Sequence, residues 1–424
     1  MSESLITQQH EFEAFCQSVR DVGIVGFDTE FISEFTWRPE LCLLQLATPD
    51  RAVLVDPFEM QDLSPWWDIM LDPGVVVVAH GGREEARFCV TNTGQGPVNF
   101  KDIQIAEGFR GRSFPLGYDA LVKRVLGQRS HGKETRSDWR RRPLTKPQLM
   151  YAVEDVRHIL PIWSKQSADL KKKERLAWVE DEFSRLVRDV MLEREDEAWL
   201  KLPGLHKLNA RELAVAKNVF WWRENEAEAR DKPARRILRD DLIIELARRQ
   251  PTNADDLVAT RDMNRSEYRK AAPEMLAAIG EALELPDDQL PCRPPEPEDD
   301  QSHDEQLLGQ LLGIALANRC AEMNVAMSIV GKTADLRHLV RWHVFGDQRH
   351  GTPRLMEGWR AEVCGDLLSN VLDGKIALRV ADPQSDHPLV FEHRDDEGIV
   401  QKTSRLGPAK RPRRPSRRKP KPSP

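Results

Sequence analysis

The sequence predicts an α/β domain with a mixed sheet over residues 1–200, followed by two small all-helical domains and a disordered basic tail. Three observations support this prediction. Short apolar runs alternate with helical patterns in the first part of the chain, as in α/β folds. From about residue 208 the spacing of apolar residues becomes purely helical. The tail 402–424 carries ten Lys and Arg residues and no acid, which is typical of a disordered segment.

Four short apolar runs predict strands, at 22–31, 41–48, 52–56 and 75–79. The first three follow one another closely, which favours an antiparallel meander. Helical patterns near 62–71 and 83–92 surround the fourth run, and such patterns dominate from 102 to 200. Strands mixed with helices in this order predict a mixed sheet flanked by helices.

Two helical blocks make up most of the remaining chain. The first spans 208–285, and an acidic, proline-rich stretch at 286–305 is the expected linker. The second block spans 306–373. The stretch 374–398 is ambiguous, with a possible short strand at 376–380.

Composition limits the class of protein. A chain of 424 residues is expected to hold two or three domains, and 40% hydrophobic with 31% charged residues indicates a globular protein. No apolar run approaches the roughly 20 residues of a membrane span, and the polar N-terminus does not resemble a secretory signal. Six scattered cysteines without a C-x-x-C pair argue against a zinc site or a disulfide framework. We therefore expect a cytoplasmic location. The net charge of −6 conceals the basic tail, which suits a polyanionic partner or merely aids solubility.

Acidic residues form three separated clusters, and a tyrosine precedes the last acid. The clusters are Phe27-Asp28-Thr29-Glu30-Phe31, His80-Gly81-Gly82-Arg83-Glu84-Glu85 and Tyr151-Ala152-Val153-Glu154-Asp155. Asp28 and Glu30 lie two apart on a predicted strand, so their side chains point to the same face. Tyr151 and Asp155 lie four apart and share one face of a helix.

Four carboxylates and one phenol can hold two divalent metal ions and orient a water molecule. Two such ions stabilise the attacking and leaving oxygens of a phosphodiester displacement. Oxygen ligands favour Mg²⁺ or Mn²⁺ over zinc. Each cluster alone is weak evidence, because acids two apart on a strand are usually solvated. Together they predict a metal-dependent nuclease.

The order of the clusters resembles the Exo I, Exo II and Exo III motifs of the DEDD superfamily of 3′–5′ exonucleases, tyrosine subtype. The ribonuclease D family is the closest match. Supporting runs are Leu43-Leu44-Gln45-Leu46-Ala47, Lys101-Asp102-Ile103-Gln104-Ile105-Ala106 and Ser137-Asp138-Trp139. The resemblance covers residues 5–200 and implies a ribonuclease H-like exonuclease domain. The block with Trp222-Arg223-Glu224 resembles an HRDC domain, and the block with Gly358-Trp359-Arg360 is similar to the family's second, divergent helical domain.

The resemblance also implies a role for each acid. Asp28 would bridge both metals, while Glu30 and Asp155 would hold the metal that activates water. Tyr151 would orient that water. Phe31 and His80 would line the pocket for the terminal nucleotide; the alternatives are a core position for Phe31 and a strand-end cap for His80.

One position departs from the family pattern H-A-G-x-x-D. Counted from His80, the last position of the pattern is Glu85 rather than Asp. Glutamate is one methylene longer, and in this superfamily the Exo II carboxylate often reaches its metal through water. Glu84 points about 100° away on a helix and is the weaker candidate.

Basic residues precede the third cluster. They are Arg136, Arg140, Arg141, Arg142 and Lys146. They are expected to hold the phosphate backbone, with Arg142 and also Lys133 as substrate contacts, because phosphates provide most of the affinity for nucleic acid. The alternative is an ordinary solvated helix face.

The resemblance therefore implies a 3′–5′ exoribonuclease with two divalent ions, Mg²⁺ or Mn²⁺. It would trim RNA 3′ ends, such as those of structured precursor tRNA, and release 5′-mononucleotides. The sequence does not indicate protein partners. Two alternatives stay open: a DNA-directed exonuclease of the same fold, and a nucleic-acid-binding scaffold whose metal site has degenerated at Glu85.

Overall fold

The computed structural model describes residues 2–128, 137–193, 195–291, 303–394 and 400–402. Two compact units emerge from the described residues. The first contains those within 1–301 together with Asn324–Ile329, and the second contains the others from 303 onward. The first unit holds the three acidic clusters, so its architecture positions the site.

The N-terminal part of the first unit contains six strands and eight α-helices. They are β1 (Ser2–Ile6), α1 (Gln9–Val22), β2 (Ile24–Ile32), β3 (Glu40–Ala47), β4 (Arg51–Val55), α2 (Ser64–Met70), β5 (Val76–Ala79), α3 (Arg83–Thr93), β6 (Phe100–Asp102), α4 (Ile103–Arg110), α5 (Tyr118–Leu126), α6 (Lys146–Arg157), α7 (Ile159–Lys172) and α8 (Leu176–Met191).

The six strands form one mixed sheet in the order β1-β4-β3-β2-β5-β6. Strands β2, β3 and β4 pair antiparallel, which confirms the predicted meander. The pairs β1–β4, β2–β5 and β5–β6 are parallel. The mixed sheet predicted from the sequence is therefore confirmed.

Strand β1 and helix α1 were not predicted from the sequence. The edge strand begins Ser2-Glu3-Ser4, which gives no apolar run to recognise. Helix α1 buries Phe12, Phe15, Cys16 and Val19, an i, i+3, i+4, i+7 pattern that marks one core-facing stripe. A short polar strand before this helix escapes pattern reading because pairing with β4, rather than its own sequence, stabilises it.

Helices cover both faces of the sheet. The core on one face contains Val25 and Phe27 of β2 with Leu44 and Leu46 of β3, packed against α1 and α2. The other face carries α6 and α7, which contact β2 and β3 or β5. Gly26 permits this approach, because a Cβ there would lie 3.3 Å from Ile159 of α7. Asp28 and Glu30 follow Gly26 at intervals of two, so they share the face covered by α6 and α7.

A helical domain completes the first unit. Its helices are α9 (Ala210–Ala229), α10 (Ala234–Ile237), α11 (Asp240–Arg249), α12 (Ala254–Ala259), α13 (Ser266–Lys270) and α14 (Ala272–Glu284), around an apolar core of their own. The loop after β2 reaches this domain. The backbone N–H of Trp37 donates to Asp231 at 3.1 Å, and its indole N–H donates to Glu224 at 3.2 Å.

The second unit combines helices with a small sheet. Its elements are α15 (His303–Met323), α16 (Met327–Val330, shared with the first unit), α17 (Thr333–Val344), α18 (Gly358–Arg360), a π-helical turn (Ala361–Gly365), α19 (Asp366–Leu372), β7 (Ile376–Val380), β8 (Leu389–Arg394) and β9 (Val400–Lys402). The three strands pair antiparallel, so the possible strand at 376–380 is confirmed. Linker residues 292–302 and tail residues 403–424 lie outside the described residues.

Two global properties complete the description. Within the described ranges, no helix has both the length and the apolar character needed to cross a membrane. Free thiols in the same ranges are all buried, at Cys16, Cys42, Cys89, Cys320 and Cys364.

Candidate active site

Strand β2 supplies the first two acids. Asp28 pairs across the sheet with Gln45 and Glu30 with Leu43, after which the register shifts between Glu30 and Phe31. Such irregularities re-aim side chains and often lie beside active sites. The shift follows Glu30, so Asp28 and Glu30 keep a common face before the strand bends.

Helix α3 supplies the third acid, Glu85. Its side chain is only 5% exposed and accepts a 2.7 Å hydrogen bond from the Thr29 hydroxyl, which ties α3 to β2. Glu84 instead pairs with Arg87 on a partly exposed surface. The structure thus brings Glu85, and not its neighbour, beside the acids of β2.

Helix α6 supplies Tyr151 and Asp155. A capping box of Thr145 and Gln148 fixes its first turn, in which each side chain bonds the other residue's backbone N–H. Tyr151 packs near the ring of Trp139, with centroids 6.2 Å apart. One turn later, Asp155 lies close enough to the Tyr151 hydroxyl for the phenol to lower the pKa of the carboxyl group. The helical spacing therefore places the phenol and the carboxylate together.

The four acids perturb one another strongly. Burial raises the pKa of Asp28 well above its usual range, and neighbouring carboxylates, Glu85 first, add to the rise. Burial, then the charge of Asp155, raises the pKa of Glu30 to about 8. Burial raises the pKa of Glu85 and of Asp155 to about 7. Among the residues that the structure describes, the strongest electrostatic neighbours of Asp28 and Glu30 are acids, which oppose rather than compensate their charges.

Tyr151 responds to the same charges. Burial raises the pKa of its phenol, and the negative charge of Asp155 raises it further. The hydroxyl therefore remains protonated at neutral pH. A neutral phenol can hold a water molecule by donating or accepting a hydrogen bond, but it does not act as a general base.

Two further predicted residues have identified neighbours. His80 follows β5 directly, and its Nε2 lies 2.9 Å from the carbonyl oxygen of Leu116, so this nitrogen is the donor. The half-buried ring of Phe31 meets Phe88 edge to face, with centroids 5.6 Å apart. The Phe31 contact agrees with the alternative of a core position, and both residues remain partly accessible.

One of the basic residues, Arg142, makes contacts within the fold. The Arg142 guanidinium forms an ion pair with Asp56, donates 2.8 Å to the Cys42 carbonyl and lies over the Phe58 ring. These contacts join the loop before α6 to β3 and the end of β4, so we assign Arg142 to the fold rather than to the substrate. Lys133 and Arg136 lie outside the described residues.

Comparison with known proteins identifies the family. Residues 4–171 match the 3′–5′ exonuclease family and residues 212–279 match the HRDC domain family. Ribonuclease D of Bartonella henselae is 33% identical over 377 residues, covering 88% of this chain and 91% of that protein. This chain belongs to the ribonuclease D family. Ribonuclease D of Granulibacter bethesdensis is likewise 33% identical and covers 89% of this chain and 95% of its own.

A solved structure agrees with this membership. Escherichia coli RNase D, described as an exoribonuclease involved in structured RNA processing, superposes with a TM-score of 0.77. It is 26% identical and covers 88% of this chain and 99% of its own. As a ribonuclease D family member with a 3′–5′ exonuclease domain, the chain is a hydrolytic 3′–5′ exoribonuclease, and its substrate is a nucleic acid. The fold class predicted from the sequence is confirmed.

Three residues of this ribonuclease D fold were not assigned a role from the sequence. Asp102 is buried and accepts backbone hydrogen bonds from both sides of the turn after β5 and from the start of α4. Tyr118 lies edge to face with His80, and its hydroxyl donates to the Glu154 carbonyl at 3.1 Å. Gln45 is a lone polar residue inside the apolar run of β3. An isolated polar residue in such a run was the available signal for Gln45.

The chemistry of the donor set fits the metal dependence of this exonuclease family. Buried carboxylates whose strongest electrostatic neighbours within the described ranges are other acids, as for Asp28 and Glu30, are stabilised by bound cations. Among the described residues, no three acidic, imidazole or thiol side chains are already close enough to enclose an ion.

Proposed function

We propose that this ribonuclease D family member trims RNA 3′ ends one nucleotide at a time, with precursor tRNA as its substrate class. The observation that carries the proposal is the convergence of Asp28, Glu30, Glu85 and Asp155 on one site with strongly raised pKa values. The description of the E. coli relative as a processor of structured RNA supports the substrate class.

The proposed ligands are these same four carboxylates, with two Mg²⁺ or Mn²⁺ ions as cofactors. Asp28 interacts electrostatically with the other three acids and is proposed to hold both ions, while Glu30 and Asp155 would hold one of them. When bound, the ions would supply an activated water and stabilise the attacking and leaving oxygens. The hydrogen bond from Thr29 and the electrostatic effect on Asp28 support Glu85, one methylene longer than the family's aspartate, as the fourth ligand.

Tyr151 is the proposed water-positioning residue. Its hydroxyl neighbours Asp155, one of the proposed ligands, and it keeps its proton at neutral pH. It would hold the water by hydrogen bonding, and the released proton would leave to solvent. Phe31 and His80 are proposed to border the terminal nucleotide through their accessible parts. Lys133 is proposed to contact the scissile phosphate through its charge.

The release of 5′-mononucleotides from an RNA 3′ end is the expected reaction. The test is digestion of a 5′-labelled single-stranded RNA, beside a DNA of the same sequence, with Mg²⁺, Mn²⁺ or EDTA. Stepwise shortening of RNA that EDTA abolishes supports the proposal. Faster degradation of DNA would favour the DNA-directed alternative, and RNA binding without cleavage under any metal would favour a degenerate scaffold.

The matched variant is Asp28→Asn, which preserves the shape of the side chain and removes its charge. Loss of a bridging ligand removes several kcal/mol of transition-state stabilisation. At about 1.4 kcal/mol per factor of ten, the cleavage rate is expected to fall on the order of 10³-fold. RNA affinity, measured by fluorescence anisotropy, is expected to change little. Retained turnover in this variant would refute the assignment of the site.

The natural substrate is tested by comparing two forms of one tRNA. A precursor with a 3′ extension is expected to be shortened until the enzyme reaches the stable acceptor stem, whereas the mature form is degraded slowly. Equal rates would contradict a processing role. A cytoplasmic location completes the proposal and is supported by the free, buried thiols of the described residues.

A further inference from the structure

Gln45 is a buried polar residue without an explained role. It is 0% exposed, and neither its Nε2 nor its Oε1 has a hydrogen-bond partner among the described residues. Buried amides are almost always hydrogen-bonded, because leaving them unpaired destabilises the folded state. An apolar side chain would fit β3 better, so the amide requires another explanation.

The register of the sheet shows where the side chain points. Gln45 lies opposite Asp28 in the antiparallel pair of β3 and β2, and directly opposed side chains share a face. Its neighbours Leu44 and Leu46 point to the other face and belong to the apolar core there. Helix α6, which carries Tyr151 and Asp155, packs over β2 and β3 on the side of Gln45. The amide therefore faces the acidic cluster.

Within the cluster, the amide group complements the carboxylates. Ionised carboxylates only accept hydrogen bonds, whereas the amide nitrogen of Gln45 offers two donors. Glu30 lies two residues beyond Asp28 on the same face of β2, so it is a diagonal neighbour of Gln45 and within reach of its long side chain. The Gln45 amide lowers the pKa of Glu30, which agrees with this proximity. The two groups nevertheless do not meet in a hydrogen bond of good geometry. A small rotation of either side chain would complete the bond.

We propose that Gln45 is a positioning residue: its amide N–H holds the Glu30 carboxylate so that a carboxylate oxygen is presented to a divalent cation. The inference rests on the proposed function, because Glu30 needs such positioning only if it binds a metal. Groups that orient metal ligands contribute 10- to 100-fold to metal affinity or activity. The otherwise unsatisfied amide is then a cost of folding that metal binding offsets.

The test measures cation affinity directly, without the reaction. Mn²⁺ binding to the full-length protein is followed by isothermal titration calorimetry for the wild type and for Gln45→Met, a substitution that keeps length and removes the amide. We expect the Kd for Mn²⁺ to rise about 10- to 100-fold. The melting temperature of the metal-free variant is expected to equal or exceed that of the wild type, because no buried amide is left unpaired.

Leu46→Met is the matched control, because it alters the adjacent position of β3 on the opposite face. Its Kd for Mn²⁺ is expected to stay within about twofold of the wild-type value. A double-mutant cycle with Glu30→Gln identifies the partner. If Gln45 acts through Glu30, the combined effect on Kd is smaller than the product of the two single effects.

The outcomes separate the possibilities. An unchanged Kd in Gln45→Met, with or without a lower melting temperature, overturns the inference and leaves a packing role. Independent effects in the cycle also overturn it. If the wild type itself binds no Mn²⁺, the proposed function fails rather than the role of Gln45 alone. Should Gln45→Met fail to fold, Gln45→Leu provides a second apolar side chain for the same measurements.

Discussion

Four acids that repel one another are held together by the backbone of three elements. Asp28 and Glu30 come from β2, Glu85 from α3 and Asp155 from α6. Each is buried enough to raise its pKa, and the mutual repulsion of the acids opposes their ionisation. The site thus stores unfavourable electrostatic energy that divalent cations can relieve.

Glu85→Gln tests the departure from the family's aspartate. The variant keeps an acceptor for Thr29 and removes the charge. If Glu85 supports a metal through water, activity should fall about 10- to 100-fold in a gel assay of RNA shortening. Glu84→Gln is the matched control, because Glu84 pairs with Arg87 away from the cluster. Its activity is expected to stay within about twofold, since exposed ion pairs contribute little. Equal losses in both variants would contradict the role given to Glu85.

The sequence predicts which site residues lie together where their spacing along one strand or helix alone decides the geometry. The intervals of two and four residues were sufficient to pair Asp28 with Glu30 and Tyr151 with Asp155. The bond from Thr29 to Glu85 joins residues 56 positions apart, and its geometry depends on how α3 packs against β2. No local pattern contains that information. Arg142 shows the opposite case. The basic run predicts a contact with substrate, but it does not reveal that the Arg142 guanidinium is paired with Asp56.

Among the elements, the turn between β5 and α3 depends on one buried carboxylate. Asp102 caps α4 through the backbone N–H groups of Gln104 and Ile105, and accepts those of Gly81 and Gly82. It therefore connects the helix that follows β6 with the turn that leads to Glu85. Strands β5 and β6 are adjacent and parallel, so their ends meet at this residue.

Asp102→Ala is expected to leave several buried backbone donors unsatisfied. Each such donor costs about 1–3 kcal/mol, so the free energy of unfolding should fall by roughly 3 kcal/mol or more. Asp102→Asn retains the oxygen that three of the donors share and should cost less, about 1–2 kcal/mol. Urea unfolding followed by circular dichroism measures both. Asp50→Ala, at an exposed turn, is the control and should stay within about 0.5 kcal/mol of wild type. If the free energy of unfolding falls no further in Asp102→Ala than in the control, Asp102 does not stabilise the turn and α4 as described.

Strands and helices could be predicted where the hydrophobic periodicity of the sequence is strong. A strand was missed where pairing with a neighbouring strand, rather than its own sequence, stabilises it. The meander β2–β4 and the helix α3 were expected within a few residues of their observed ends. Strand β1 was missed because its Ser and Glu residues show no alternation, and only the parallel partner β4 defines it. The small sheet near 376–402 was only partly expected for the same reason.

In the whole molecule, the acidic cluster makes the stability of the metal-free protein depend on pH. The folded state keeps protons on Glu30, Glu85 and Asp155 up to about pH 7–8. In the unfolded chain these groups lose them near pH 4. Between these limits the folded state binds more protons, so its stability falls as pH rises.

Urea unfolding of the wild type and of Asp28→Asn, in EDTA at pH 5 and pH 8, measures the free energy of unfolding of the metal-free proteins. Asp28→Asn removes one charge from the cluster, so it should be more stable than wild type at pH 8, on the order of 1–3 kcal/mol, and nearly equal at pH 5. Saturating Mn²⁺ should narrow or reverse the stability difference between Asp28→Asn and the wild type at pH 8, because cations compete with protons for the acids. A stability difference that is the same at both pH values would contradict this account.

A pair of hydrogen bonds also joins the exonuclease domain to the HRDC domain. The loop that continues from β2 is bonded through Trp37 to Glu224 and Asp231 of the HRDC domain. Residues nearly 200 positions apart meet there, and no local pattern predicts this contact. The same strand therefore carries two of the proposed metal ligands and leads to the domain contact.

The buried thiols have a practical consequence. Burial raises the pKa of Cys16 to about 12 and that of Cys89 to about 11, so almost none of either is thiolate at neutral pH. An alkylating reagent can reach them only when the surrounding structure opens. Cys16, Cys42 and Cys89 lie in the exonuclease part, whereas Cys320 and Cys364 lie in the second unit. In a variant with Cys292 replaced by Ser, the labelling rates of these two groups of thiols would report separately how often each unit opens.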